Sequence, residues 1–184
     1  MRRIGVFLMA AALLGSTTAY AGTFGALSQC EAALKKATSW HVHMRMADGK
    51  TLTMDYAAPH RWRIVPAPGI TEVIIGSTVY MDMAGHVMQL PAVYGAKIAR
   101  TVRIHMFDAA TLAQVRRSVR DLGVQTLDGK PVHVFRYVAN GQTETWYVGA
   151  HDLPVRAVIH DAKGTEVLRY SRYDVPVSIQ PPAG

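Results

Sequence analysis

Between Trp40 and Met83 the side chains alternate. Trp40, Val42, Met44 and Met46 share one parity, and His41, His43 and Arg45 take the other. After Asp48-Gly49 the pattern resumes with Leu52, Met54 and Tyr56 against Thr51, Thr53 and Asp55, and then with Trp62 and Ile64 against Arg61 and Arg63. A period of two over short runs, broken by turn residues, is the pattern of antiparallel strands with one apolar and one solvated face. Apolar surface of this extent is costly to leave in water. The rest of the chain must cover that face, extend it, or leave room for something that does.

The first residues are not expected to belong to the fold. Arg2 and Arg3 precede an apolar run, Ile4 to Leu14, and Ala19-Tyr20-Ala21 places small residues where a signal peptidase cuts. Residues 1–21 therefore read as a signal peptide, cleaved after Ala21, with 22–184 as a single exported, periplasmic domain. The apolar run is short for a membrane span. Without Arg2 and Arg3 the formal charge falls from +7 to +5. A basic exported protein can meet anionic membrane surfaces, or the charge can simply serve solubility. Cys30 is the only cysteine, which excludes an internal disulfide and a thiolate metal cluster. It reads as a small buried residue on a helix, or else as one half of an intermolecular disulfide.

Along the chain, Gly22 to Ser39 reads as a helix whose stripe is Phe24, Leu27, Cys30, Leu34 and Ala37, with Lys35 and Lys36 in its last turn. Strands are expected at 71–76, 78–83 and 87–90, then at 131–138, 143–148, 154–160 and 165–173. Asp128-Gly129 and Asn140-Gly141 are tight-turn signals between the later ones. Residues 92–105 fit neither period. A second helix follows, with Asp108 as its N-cap, Phe107 and Leu112 as a hydrophobic staple, and Leu112, Val115 and Val119 as its stripe. Gly123 is expected to stop it.

The expected architecture is α+β, a strongly curved antiparallel sheet of roughly nine to eleven strands with an N-terminal helix and a mid-chain helical element. A helix of about 15 residues covers only about 22 Å. Two or three of these leave such a sheet under-filled, so it either rolls up on itself or keeps a cavity.

Catalytic signatures are missing: there is no Gly-x-Ser-x-Gly elbow, P-loop or dinucleotide-binding glycine run. His41 and His43 share a strand face, but no nearby carboxylate or cysteine completes a metal site. No metal or cofactor is expected, and no enzyme activity. A hydrolase assembled from His133, His160 and Asp174 is the reading set aside. Seven of nine methionines fall after the leader, and 44/46 and 81/83 are same-face pairs. Thioethers suit a surface that accepts apolar partners of variable shape, and they equally fill irregular cores.

Several segments resemble periplasmic outer-membrane lipoprotein carriers, the LolA-like, lipoprotein-sorting-like superfamily. Ala58-Pro59-His60-Arg61-Trp62-Arg63 is similar to that family's proline-led strand opening. Glu72 through Tyr80, with Gly76-Ser77 at its turn, is similar to its glycine-turn-aromatic hairpin. Trp146-Tyr147-Val148, Leu153-Pro154-Val155 and Tyr173 through Pro181-Pro182 resemble its closing strands. The resemblance implies an incomplete β-barrel closed by a helical lid over a hydrophobic cavity for acyl chains, and relatives of this fold also bind lipids or sense envelope stress. One departure stands out: carriers have an arginine before the proline, where this chain has Ala58. The resemblance therefore implies apolar cargo without implying the carriers' energy-coupled handover.

The expected function is binding or carrying acyl chains of lipoproteins or glycolipids, with an envelope sensor or scaffold of the same fold as the alternative. The expected cavity lining is Trp40, Val42, Met44, Met46, Leu52, Met54, Tyr56, Trp62, Ile64, Met81 and Met83, with Phe107, Leu112, Val115 and Val119 under the lid. Expected partners are lipid or lipoprotein acyl chains, with transient contact to an anionic membrane surface or an envelope protein. No nucleic acid is expected, and the expected state is a monomer.

Overall fold

A computed structural model describes residues 19–91, 93 and 109–183. Most of the expected leader, the ambiguous 92–105 stretch apart from residue 93, Met106, Phe107 and the Asp108 cap lie outside these residues. Helix α1 (Ala19–Lys36) is followed by strands β1 (Ser39–Arg45), β2 (Thr51–Ala57), β3 (Arg61–Ala67), β4 (Ile70–Ile75), β5 (Thr78–Met83) and β6 (His86–Gln89). Helix α2 (Ala109–Ser118) leads into β7 (Arg120–Leu127), β8 (Lys130–Ala139), β9 (Gln142–Val148), a 3₁₀ turn (Ala150–Asp152), β10 (Pro154–Asp161) and β11 (Gly164–Ser171).

The described strands form one antiparallel sheet in the order β6-β5-β4-β3-β2-β1-β11-β10-β9-β8-β7. Two meanders are thus joined through β1 and β11, and the edges β6 and β7 do not pair, so the barrel stays open. The curved sheet with helices expected from the alternation is what forms.

Helix α1 lies along the inner face because its stripe requires it. Leu27 and Cys30 pack with Val115 and Val119, above Phe135, Tyr137, Trp146 and Ala157 of β8–β10. Farther along, Leu34 and Ala37 pack with Trp40, Val42, Trp62, Ile64, Ile74 and Val79 of β1 and β3–β5. Leu168 and Tyr170 of β11 touch both clusters and make one core of them. Helix α2 is tied to the end of β8: the Asn140 amide donates to Gln114 Oε1 at 2.7 Å, and the Val138 amide to Ser118 Oγ at 3.0 Å.

Three expectations are corrected. The second helix ends at Ser118, not Gly123, and Arg120 begins β7. Gly123 sits instead at a break in register between Asp121 and Val124 with φ +74°, a bulge conformation that suits glycine. Strand β7 itself has no place in the sequence reading, because most of its residues are exposed at a sheet edge and carry no apolar period. The third correction concerns Tyr173 to Pro182, which forms no strand after β11. The chain crosses the outer face, burying Ile179 against Ala57 and Val73, and Arg61 donates to the Ile179 carbonyl at 3.1 Å. Apolar residues on the outside of β2 and β4 need that cover.

Candidate functional site

Register places the expected residues in rows across the inner face. In one row Trp40, Tyr56, Trp62, Ile74 and Val79 stand opposite one another on β1 to β5. Its aromatic rings are in contact: Trp40 stacks on Tyr56 at 5.3 Å and meets Trp62 edge-on at 5.1 Å, and Tyr56 lies 4.7 Å from Trp62. Tyr170 extends this belt to Trp146, with 6.0 Å between centroids at each step. Ring contacts of this kind add to what area burial alone contributes. The Trp40 indole nitrogen is buried with no hydrogen-bond partner.

The next row runs Tyr170, Val42, Met54, Ile64, Glu72, Met81 and Met88. Glu72 is the one carboxylate in it, and burial raises its pKa above the ordinary glutamate value. On the other half of the inner face, Glu144 accepts hydrogen bonds from the Tyr137 hydroxyl at 2.7 Å and the Trp146 indole at 3.0 Å. Burial and the Glu144 charge both raise the Tyr137 phenol, which keeps it a donor.

The structure brings Trp40, Val42, Met44, Leu52, Met54, Tyr56, Trp62 and Ile64 into one patch. Trp40, Val42, Trp62 and Ile64 are buried beneath α1, while Met44, Leu52, Met54, Tyr56 and Met81 are only half-buried. Met83 is 38% exposed, and Met88, which stands opposite Met81 on β6, is 42% exposed. Met46 lies beyond the end of β1, in the turn where its amide binds the Lys50 carbonyl. Val115 and Val119 pack elsewhere, over β8–β10, and Leu112 is half-buried on α2. Phe107 lies outside the described residues.

The outward parity behaves as solvated surface. His41 Nδ1 and Arg63 both bind Asp55, each at 2.7 Å. Burial raises the Asp55 carboxyl, but the hydrogen bonds from His41 and Arg63 outweigh it and hold the pKa below the usual aspartate range. Arg63 is thus paired to a carboxylate, whereas Arg61 keeps its charge while donating to a carbonyl of the chain tail. His133, His160 and Asp174 are not bonded to one another: they bind Asp121, Thr165 and Thr38 respectively. Among the described residues no group of three or more His, Cys, Asp or Glu could hold a metal. Cys30 is buried, and its thiol is pushed up to about 12, first by burial and then by the Asp152 and Glu31 charges.

A cavity of about 780 Å³ opens at the end of the sheet where the β7–β8 hairpin, the β9–β10 connection and the C-terminal end of β11 converge. Its apolar walls include Leu127, Val132, Leu153, Val155, Tyr170 and Tyr173, and its charged lining is Asp128, Lys130, Arg156 and Arg169. None of the fourteen described residues among those expected from the sequence lines it. A register shift between Pro154 and Arg156 interrupts the alternation there, and the missing side chain of Gly149 makes room, since a Cβ would stand 2.9 Å from Val155. Arg156 and Arg169 carry no local signal: they are opposite only because β10 pairs with β11.

No protein-family model matches the sequence, and no curated protein matches it. Its fold is shared by solved structures. Lipoprotein LppX of Mycobacterium tuberculosis superimposes with a TM-score of 0.68 at 17% identity, over 90% of this chain and 100% of that one. LprF from Mycobacterium bovis gives 0.61 at 17% identity, over 89% and 98%. The MucA/MucB complex of Pseudomonas aeruginosa gives 0.54 at 14% identity, over 89% of this chain and 61% of the matched one. The incomplete, curved antiparallel sheet with helices expected from the sequence is the fold that this chain shares with these structures.

Proposed function

We propose, from a fold shared with lipoprotein LppX, that this protein is a periplasmic, non-enzymatic carrier or binding protein for the acyl chains of lipoproteins or glycolipids. The observation that carries the reading is the uneven cover of the inner face. Trp40 and Trp62 are buried beneath α1, whereas Met44, Met54 and Met81 are only half-buried and Met83 and Met88 are exposed. Methionine at an uncovered, concave surface adapts to chains of differing shape. Each methylene taken from water contributes about 0.8 kcal/mol. A dozen would give about 10 kcal/mol before the cost of association, which is enough for useful affinity.

The test is native mass spectrometry of the purified protein after incubation with envelope lipids, combined with displacement of an apolar fluorescent dye. Adducts in the mass range of lipids, and dye release by acyl chains but not by free headgroups, are the expected outcome. Bare protein with no dye displacement would overturn the reading. Met54→Glu and Met81→Glu, which place charge on the open rows, should weaken dye binding at least about tenfold.

The alternative is a sensor or scaffold that binds an envelope protein. Its support is the edge strand β7, unpaired on one side among the described residues, with Leu122 38% and Val124 72% exposed. The related fold of MucB is found in complex with MucA. A stable complex recovered from periplasmic extract, lost in Val124→Lys and indifferent to Met54→Glu, would favour this reading.

A further inference from the structure

Arg156 and Arg169 stand directly opposite each other on β10 and β11. Like charges in that position repel, and natural strands usually avoid it or place a carboxylate alongside. Here no ion pair to either arginine forms with any described residue. Arg156 rests its guanidinium on the Tyr147 ring at 5.3 Å, and its Nε is buried without a hydrogen-bond partner. Both side chains line the 780 Å³ cavity, together with Lys130 and the single carboxylate Asp128. A buried guanidinium N–H left unbonded is costly unless an acceptor arrives. At the lip of the cavity His151 holds φ at 59°, in the left-handed region that histidine adopts more readily than most residues.

We propose that this cavity is a binding site for an anionic amphiphile, a phosphate or carboxylate group bearing a hydrocarbon chain. Arg156 and Arg169 hold the anion between them, and the apolar walls around Leu153, Val155 and Tyr173 take the first part of the chain. The guanidinium fork supplies paired N–H donors that match either oxyanion, so one bound anion satisfies the buried Nε and cancels the repulsion across the strands. The volume is that of an ordinary small-molecule pocket. Tyr170 and Tyr173 border both this cavity and the methionine-rich patch, but Arg156 and Arg169 lie outside that patch, and the site does not depend on its taking an acyl chain.

Calorimetric titration of the purified protein tests it. The probes are palmitate and lysophosphatidylglycerol below their micelle concentrations, lysophosphatidylcholine of the same chain length, and inorganic phosphate. The anionic amphiphiles should bind at least about tenfold more tightly than either of the other two, and should shift the Arg156 Nε–H resonance. Arg156→Gln and Arg169→Gln should each lose at least about tenfold of that affinity while leaving uptake of a neutral apolar dye unchanged. Both variants should melt no lower than the parent, since each removes one member of a repelling pair. On the unaltered protein, raising NaCl from about 50 to about 500 mM should weaken the anionic ligands several-fold and spare lysophosphatidylcholine.

Inorganic phosphate binding as tightly as the amphiphiles would reduce the site to a plain anion site and overturn the proposal. So would equal affinity for the zwitterionic lipid, salt-insensitive binding, or full affinity in both glutamine variants. Absence of dye uptake and lipid adducts in the unaltered protein while the anionic titration persists would overturn the proposed acyl-chain function and leave this site standing.

Discussion

Glu72 gives a direct measure of how the inner face is built. It stands between Ile64 and Met81 in a row that is otherwise apolar apart from the Tyr170 hydroxyl, half-buried and with no hydrogen bond or ion pair to any described residue. Burial raises its pKa, so the native state holds the proton more tightly than the unfolded chain does. The sign follows from linkage. Stability from this group is complete at pH values below the unfolded-state pKa, and it is lost as pH rises through the higher folded-state value. Glu72→Gln keeps the shape and removes the charge, so it should melt above the parent at pH 7.5 and level with it near pH 4. Glu72→Met adds apolar burial as well. About half of the roughly 1.5–3 kcal/mol for a fully buried side chain is about 1 kcal/mol. For a chain of this length that corresponds to about 2–4 °C in Tm, and this part should persist at acidic pH. Thermal melts by circular dichroism across the pH range separate the two contributions. A glutamine variant that melts below the parent at neutral pH, or gains equally at both extremes, would refute the reasoning by showing that the carboxylate is favourably held.

Phe135, fully buried beneath the two helices, should cost about 3–5 kcal/mol when cut to alanine, measured by urea unfolding. Asp55→Asn should cost about 1 kcal/mol at pH 7, because it weakens bonds to both His41 and Arg63 at a partly exposed site. The Asp55 pKa is lowered in the fold, so the parent's advantage should be present above the ordinary aspartate pKa and disappear as pH falls through the folded value. Cys30, buried with its thiol pushed up to about 12, should resist a maleimide at pH 7.5 in the folded protein and react fully once the chain is unfolded.

The residues by themselves determined which side chains turn inward. Parity is a local property of a strand, so Trp40 had to share a face with Val42, and Trp62 with Ile64, wherever their strands lay. The stripe of α1 and the Asp-Gly and Asn-Gly turns were legible for the same reason, since helix periodicity and turn chemistry act over a few residues. Strand β7 was not legible, because an exposed edge needs no apolar period, and neither was the outer-face path of the tail, which depends on what Ala57 and Val73 expose. Only the tertiary structure decided that Val115 and Val119 pack over β8–β10, away from the methionines, and that Arg156 meets Arg169 at a cavity wall. Those placements come from the order and register in which distant strands pair, and register is set by the sum of contacts across the whole sheet, which no short window of sequence contains.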